Sequence, residues 1–165
     1  MHIVKLIHHS FVSLVAMMSL LAPATAHAAS SPSLFFEKAA LSAAKGSNVS
    51  LPLRVNGNGT NLNTVNVVAT YPIDQLTFVG LDKTGSFFDT FVPASPKVEN
   101  GKITFGVASL GKTTDSDELI GGLLFTAKAA SGVAKVSLNG SEAANGGSTI
   151  AVDTSEASIT LLAGS

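Results

Sequence analysis

Apolar side chains recur at every second position in segment after segment of this chain, and that spacing commits it to β-structure. Val49, Leu51, Leu53 and Val55 alternate with Ser50, Pro52 and Arg54. Val65, Val67, Ala69 and Tyr71 repeat the pattern, followed by Ile103, Phe105 and Val107, by Leu123, Phe125 and Ala127, and by Ala157, Ile159 and Leu161. A period of two sends one set of side chains to a buried sheet face and the other to solvent. Leu34 to Phe36, Leu76 to Leu81, Val136 with Leu138, and Ile150 with Val152 supply shorter segments of the same kind. Between them stand turn formers: Asn56-Gly-Asn-Gly-Thr60, a corner at Pro72, Glu99-Asn-Gly-Lys102 and the pair Gly121-Gly122, where glycine and asparagine accept backbone angles closed to other residues. About nine evenly spaced strands of this type predict an all-β antiparallel sandwich or barrel. Glu37 to Lys45 is rich in alanine, but its shortness favours a strand pair joined near Ala40 over a helix. Pro52 has no N–H to give to a ladder, so an edge or a bulge is expected there.

Residues 1–28 are laid out as a secretory signal peptide. Lys5 and neighbouring histidines precede an apolar run from Phe11 to Leu21, Pro23 breaks that run, and Ala26-His27-Ala28 offers a small-x-small cleavage site, with Ala24-Thr25-Ala26 in competition. The run is short for a membrane span, which needs about 20 residues. The reading is export to the medium or the cell surface, with residues 29–165 forming one domain of ordinary size. No second apolar segment is long enough to span a membrane, and no basic stripe suggests nucleic acid as a partner. Asn48-Val-Ser50, Asn58-Gly-Thr60 and Asn139-Gly-Ser141 match the glycosylation sequon, a tripeptide common by chance.

The exported part is as informative for what it lacks. All four histidines (His2, His8, His9, His27) fall in the leader, and the chain has no cysteine and no tryptophan. The usual general base near neutral pH, the commonest metal ligand, the thiolate nucleophile and the indole platform are therefore missing. Without disulfides, a packed core alone must hold the fold. The expectation is a protein that is not an enzyme and carries no cofactor or metal. Asp115-Ser-Asp117-Glu118 could offer oxygens to calcium but lacks the spacing and glycine of an EF-hand. Asp153 and Glu156 are equally weak as ligands. Asp74, Asp82 and Asp89 lie in polar, turn-like stretches rather than in the paired setting glycoside hydrolysis needs.

Three stretches, in order, resemble the cohesin domain, the module that captures dockerins in cellulose-degrading complexes. Gly46-Ser-Asn-Val49 is similar to the start of the family's second strand, Tyr71-Pro-Ile-Asp-Gln-Leu-Thr-Phe78 to its corner motif, and Gly122-Leu-Leu-Phe-Thr-Ala-Lys128 to a later core strand. The resemblance covers nearly all of residues 29–165. It implies a cohesin-like jelly-roll sandwich without catalysis, a dockerin-like protein partner, and docking on one sheet face formed by Thr64 to Thr70 and Lys102 to Ser109. On that face Thr64, Asn66, Val68 and Thr70 would point outward beside Thr104, Gly106 and Ala108, with Leu110 at the strand's end. Asn66 stands where well-known cohesins carry an acidic residue, and Pro72-Ile73 replaces the family's Asp-Pro.

Carbohydrate binding is the rival reading. Sugars stack on aromatic rings, and Phe87, Phe88 and Phe91 lie close together; either they form such a contact or they fold onto the sandwich edge. A purely structural envelope or adhesive domain is the third reading, for which a Ser/Thr/Asn surface would suffice.

Overall fold

A computed structural model describes residues 30–164; the leader reading and its cleavage site lie outside the described residues. Thirteen strands follow in sequence order: β1 (Ser33–Phe36), β2 (Ala40–Ala44), β3 (Asn48–Asn56), β4 (Thr64–Thr70), β5 (Leu76–Asp82), β6 (Thr90–Glu99), β7 (Lys102–Ala108), β8 (Asp117–Ala127), β9 (Gly132–Ser137), β10 (Glu142–Asn145), β11 (Ser148–Ala151), β12 (Asp153–Thr154) and β13 (Glu156–Leu162). No helix occurs among the described residues.

The strands form two packed sheets. One has five strands in the order β12-β1-β3-β8-β5. The other has eight: β11, β10, β4, β9, β13 and β2 in a row, with β7 along the free side of β4 and β6 beyond β7. The alternating residues meet between the layers. Leu51, Leu53, Val55, Leu123 and Phe125 from the first sheet face Val65, Val67, Ala69, Ile103 and Ile159 from the second, all fully buried. Phe125 is the hub, with Tyr71 and Phe78 set edge-on to its ring at 5.2 and 5.6 Å, the arrangement the ring quadrupoles prefer. Phe36 and Phe105 are buried and Phe78 packs against the core, as their spacing predicts.

Glu37 to Lys45 forms no helix. The backbone leaves the first sheet after Phe36 and enters the second at Ala40, the break predicted near that residue. Pro52 lies in an interior strand, yet its missing donor costs no ladder bond. Its carbonyl accepts the Glu37 N–H at 2.9 Å, so its nitrogen also faces the side where β1 has just ended. A bulge follows one step later, between Leu53 and Arg54.

The structure departs from the sequence reading in two respects. Among the described residues there are thirteen strand segments rather than about nine, because β6, β10 and the two-residue β12 carry little or no alternation. The sandwich is also not wholly antiparallel: β1 runs parallel to β12, and β2 to β13.

Candidate functional site

Cross-strand register turns the outer face of the larger sheet into a grid. One row reads Ala144, Thr64, Ala108, Thr90 across β10, β4, β7 and β6. The next reads Glu142, Asn66, Gly106, Val92, and then come Val68, Thr104, Lys97. The last reads Ser137, Thr70, Lys102, Glu99 across β9, β4, β7 and β6. Directly opposed residues share a sheet face, so these side chains stand together, away from the core.

Every outward position predicted on β4 and β7 lies on this face. Asn66, Thr70 and Thr104 are exposed, whereas Thr64, Val68 and Ala108 are half-buried. Leu110 follows the end of β7 in a tight turn and is 77% exposed, its N–H donating to Asp89 Oδ1 at 3.3 Å. Val68 is more enclosed than alternation alone implies, because the loop between β9 and β10 packs along it. Ser141 there is buried; its hydroxyl accepts the Val68 N–H at 2.9 Å and donates to the Val68 carbonyl at 3.2 Å.

The β4 and β7 positions at the centre are nearly free of charge. At Gly106 an added Cβ would lie 3.1 Å from Asn66 Oδ1, so the missing side chain leaves a notch beside the amide. Charges gather at the rim, where Lys97 pairs with Glu99 at 3.1 Å and Lys135 with Glu156 at 2.9 Å; the second contact raises the Lys135 pKa. Glu142 and Lys102 have no ion-pair partner among the described residues. Glu142 and Val92, the latter 64% exposed, belong to this face but were not legible in the sequence, because neither of their strands alternates.

Phe87, Phe88 and Phe91 do not form an open platform. Phe88 is buried, Phe87 and Phe91 pack against the core, and residues 85–89 are loop rather than strand. The outer surface of each half-buried ring is covered by a lysine ammonium 4.6 Å from its centroid, Lys112 over Phe87 and Lys83 over Phe91. The rings fold onto the sandwich edge because burial of apolar area outweighs any preference for solvent.

Acidic residues are not gathered either. Among the described residues no cluster of three or more His, Cys, Asp or Glu is placed to hold a metal. Asp117 is committed to Arg54 at 2.7 Å, and Arg54 also reaches Glu37 at 3.5 Å; these carboxylates push the guanidinium pKa up. Asp82 accepts the Thr84 N–H at 2.9 Å, and that bond holds its carboxyl below the ordinary value, opposite to what a proton donor needs. No buried polar side-chain atom among the described residues lacks a partner.

No protein-family model and no curated protein matches the sequence. Solved structures do match. A cohesin module of a family 33 glycoside hydrolase from Clostridium perfringens superposes with a TM-score of 0.68 at 21% identity, over 81% of this chain and 98% of that one. A non-cellulosomal cohesin from the archaeon Archaeoglobus fulgidus gives 0.63 at 17% identity, over 81% and 93%. The sixth cohesin of Acetivibrio cellulolyticus scaffoldin B, solved in complex with a mutant Cel5 dockerin, gives 0.63 at 18% identity, over 80% and 99%. At such identities the likeness speaks for architecture. This chain has the cohesin fold.

Proposed function

We propose that the protein is an exported, non-catalytic binding module that docks a dockerin-like partner on the outer face of β4, β7 and their neighbours, in polysaccharide degradation or at the cell surface. The observation that carries this reading is the face itself. Small and uncharged side chains (Thr64, Asn66, Val68, Ala108 and the Gly106 notch) occupy its middle, while Lys97, Glu99, Lys102 and Glu156 stand at its margin. Depletion of charge at the centre with a polar rim is the anatomy of protein interfaces. Export is supported by the layout of residues 1–28. The cohesin fold supports the choice of partner, since relatives of that fold are solved with dockerins bound.

The test is capture from the secretome of the source organism, run beside retention on insoluble cellulose and chitin. A discrete protein carrying a dockerin-like segment should be captured. Asn66→Arg and Gly106→Arg, both placing a long cation in the middle of the face, should each weaken its binding at least tenfold, about 1.4 kcal/mol, with unfolding midpoints near that of the parent. Retention on a polysaccharide without protein capture would overturn the proposal.

A further inference from the structure

Five asparagines are followed by glycine: Asn56, Asn58, Asn100, Asn139 and Asn145. At such a step the glycine nitrogen can attack the asparagine Cγ, since no Cβ on the following residue obstructs it. A ring N–Cγ bond forms, the Cγ–Nδ2 bond breaks, and ammonia leaves. Water then opens the succinimide at either carbonyl to give aspartate or isoaspartate. Water is the only co-reactant, and nothing is oxidised or reduced. The attack requires a glycine amide free of an acceptor, an asparagine amide free to turn, and a backbone able to bring the two together.

The same dipeptide meets different surroundings at the five positions. Asn56 Oδ1 accepts the Asn58 N–H at 2.9 Å, and the Gly57 N–H donates to Ser116 O at 3.3 Å. Gly57 is so enclosed that a Cβ would collide with the Thr60 carbonyl oxygen. Asn58 Nδ2 donates to Ser31 O at 2.6 Å, while the Gly59 N–H donates to Asp115 O at 3.0 Å. Gly101, after Asn100, is buried; its carbonyl accepts the Tyr71 N–H at 2.8 Å, and a Cβ there would meet the Tyr71 carbonyl oxygen at 2.5 Å.

Asn139 and Asn145 are different. Asn139 is exposed, and its side chain receives one contact, from Thr154 Oγ1 at 3.5 Å, too long to restrain it. Asn145 ends β10 at a hairpin tip where Gly146 and Gly147 are exposed and nothing lies within 4 Å of the space a Cβ would take. The Gly140 and Gly146 amides donate to no backbone carbonyl among the described turns and loops. The Gly101 amide shares this, so Asn100 is set apart by the close packing of Tyr71 and Ile73 around Gly101, which fixes the backbone there.

We propose that Asn139 and Asn145 are sites of spontaneous deamidation, and that the fold protects Asn56, Asn58 and Asn100 from the same reaction. Each conversion adds one negative charge to the segment carrying Glu142, which borders Asn66 on the outer sheet face. The charge of that border therefore drifts with the age of the molecule.

The test is peptide mapping by mass spectrometry of the purified protein, held folded in mildly alkaline buffer made with heavy-oxygen water, with a parallel sample in denaturant. Proteolysis after Glu142 separates the two reactive sites, and solvent oxygen marks conversions that occurred during the incubation. In the folded sample Asn139 and Asn145 should convert at least about tenfold faster than the other three, a ratio equivalent to about 1.4 kcal/mol of local opening. In denaturant all five should react at similar rates. Equal rates in the folded protein would overturn the proposal. So would an inert Asn139 or Asn145 in the folded sample when the denatured sample reacts.

Discussion

Ser141 does with a side chain what a strand residue does with its backbone. β9 and β10 both pair with β4 but leave a gap between them, and at that gap the serine hydroxyl serves the N–H and the carbonyl of Val68. Ser141→Ala leaves both groups without a partner in a half-closed site, at a cost of about 1–3 kcal/mol; urea unfolding should show a lower midpoint with an unchanged slope. Asp82 allows a prediction in pH. Its carboxyl is held low by the Thr84 N–H, so its stabilisation is present above the carboxylate's unfolded pKa and is lost as pH falls through the folded one. The stability difference between the protein and Asp82→Ala should therefore be present at neutral pH and shrink on acidification, as read from unfolding curves across a pH series.

Strands that bury one face were legible from their residues, and strands shaped by their neighbours were not. Val65, Val67 and Ala69 announce β4 because the core takes every second side chain. In β6 the pairing with β7 jumps from Val92 to Lys97, so Pro93 to Pro96 swing off the ladder, and solvent reaches most of the strand; no alternation survives such exposure. β12 exists because two residues happen to lie along β1. The same division governs the candidate face: its β4 and β7 positions follow from alternation, while Glu142 and Val92 enter through register alone. Of the two placements open to the phenylalanines in the sequence, folding onto the sandwich edge is the one observed, and the lysines that cover Phe87 and Phe91 come from other segments, Lys112 and Lys83. Lys83 also donates to the Ala94 carbonyl and so ties the β6 excursion to the end of β5. Lys83→Ala should speed amide exchange around Ala94 and Ser95 while global stability shifts by no more than about 0.5 kcal/mol.

At the scale of the whole molecule, one continuous core joins the two sheets, and the chain has no cysteine with which to form a disulfide. Phe125→Ala, which removes the ring that Tyr71 and Phe78 pack against, should cost about 3–5 kcal/mol, seen as a large loss of unfolding midpoint. The parallel pairing of β2 with β13 has a mechanical consequence. Because the two strands point the same way, a pull that enters through the beginning of β2 and leaves through the end of β13 grips them at opposite ends. Their hydrogen bonds, from Ala40 beside Ser158 to Ala44 beside Leu162, then bear the tension together in shear instead of opening one after another like a zip. Stretched between these two strands, the molecule should hold and then give way in a single abrupt event, which force spectroscopy pulling on Ala40 and Leu162 would record as one sharp rupture.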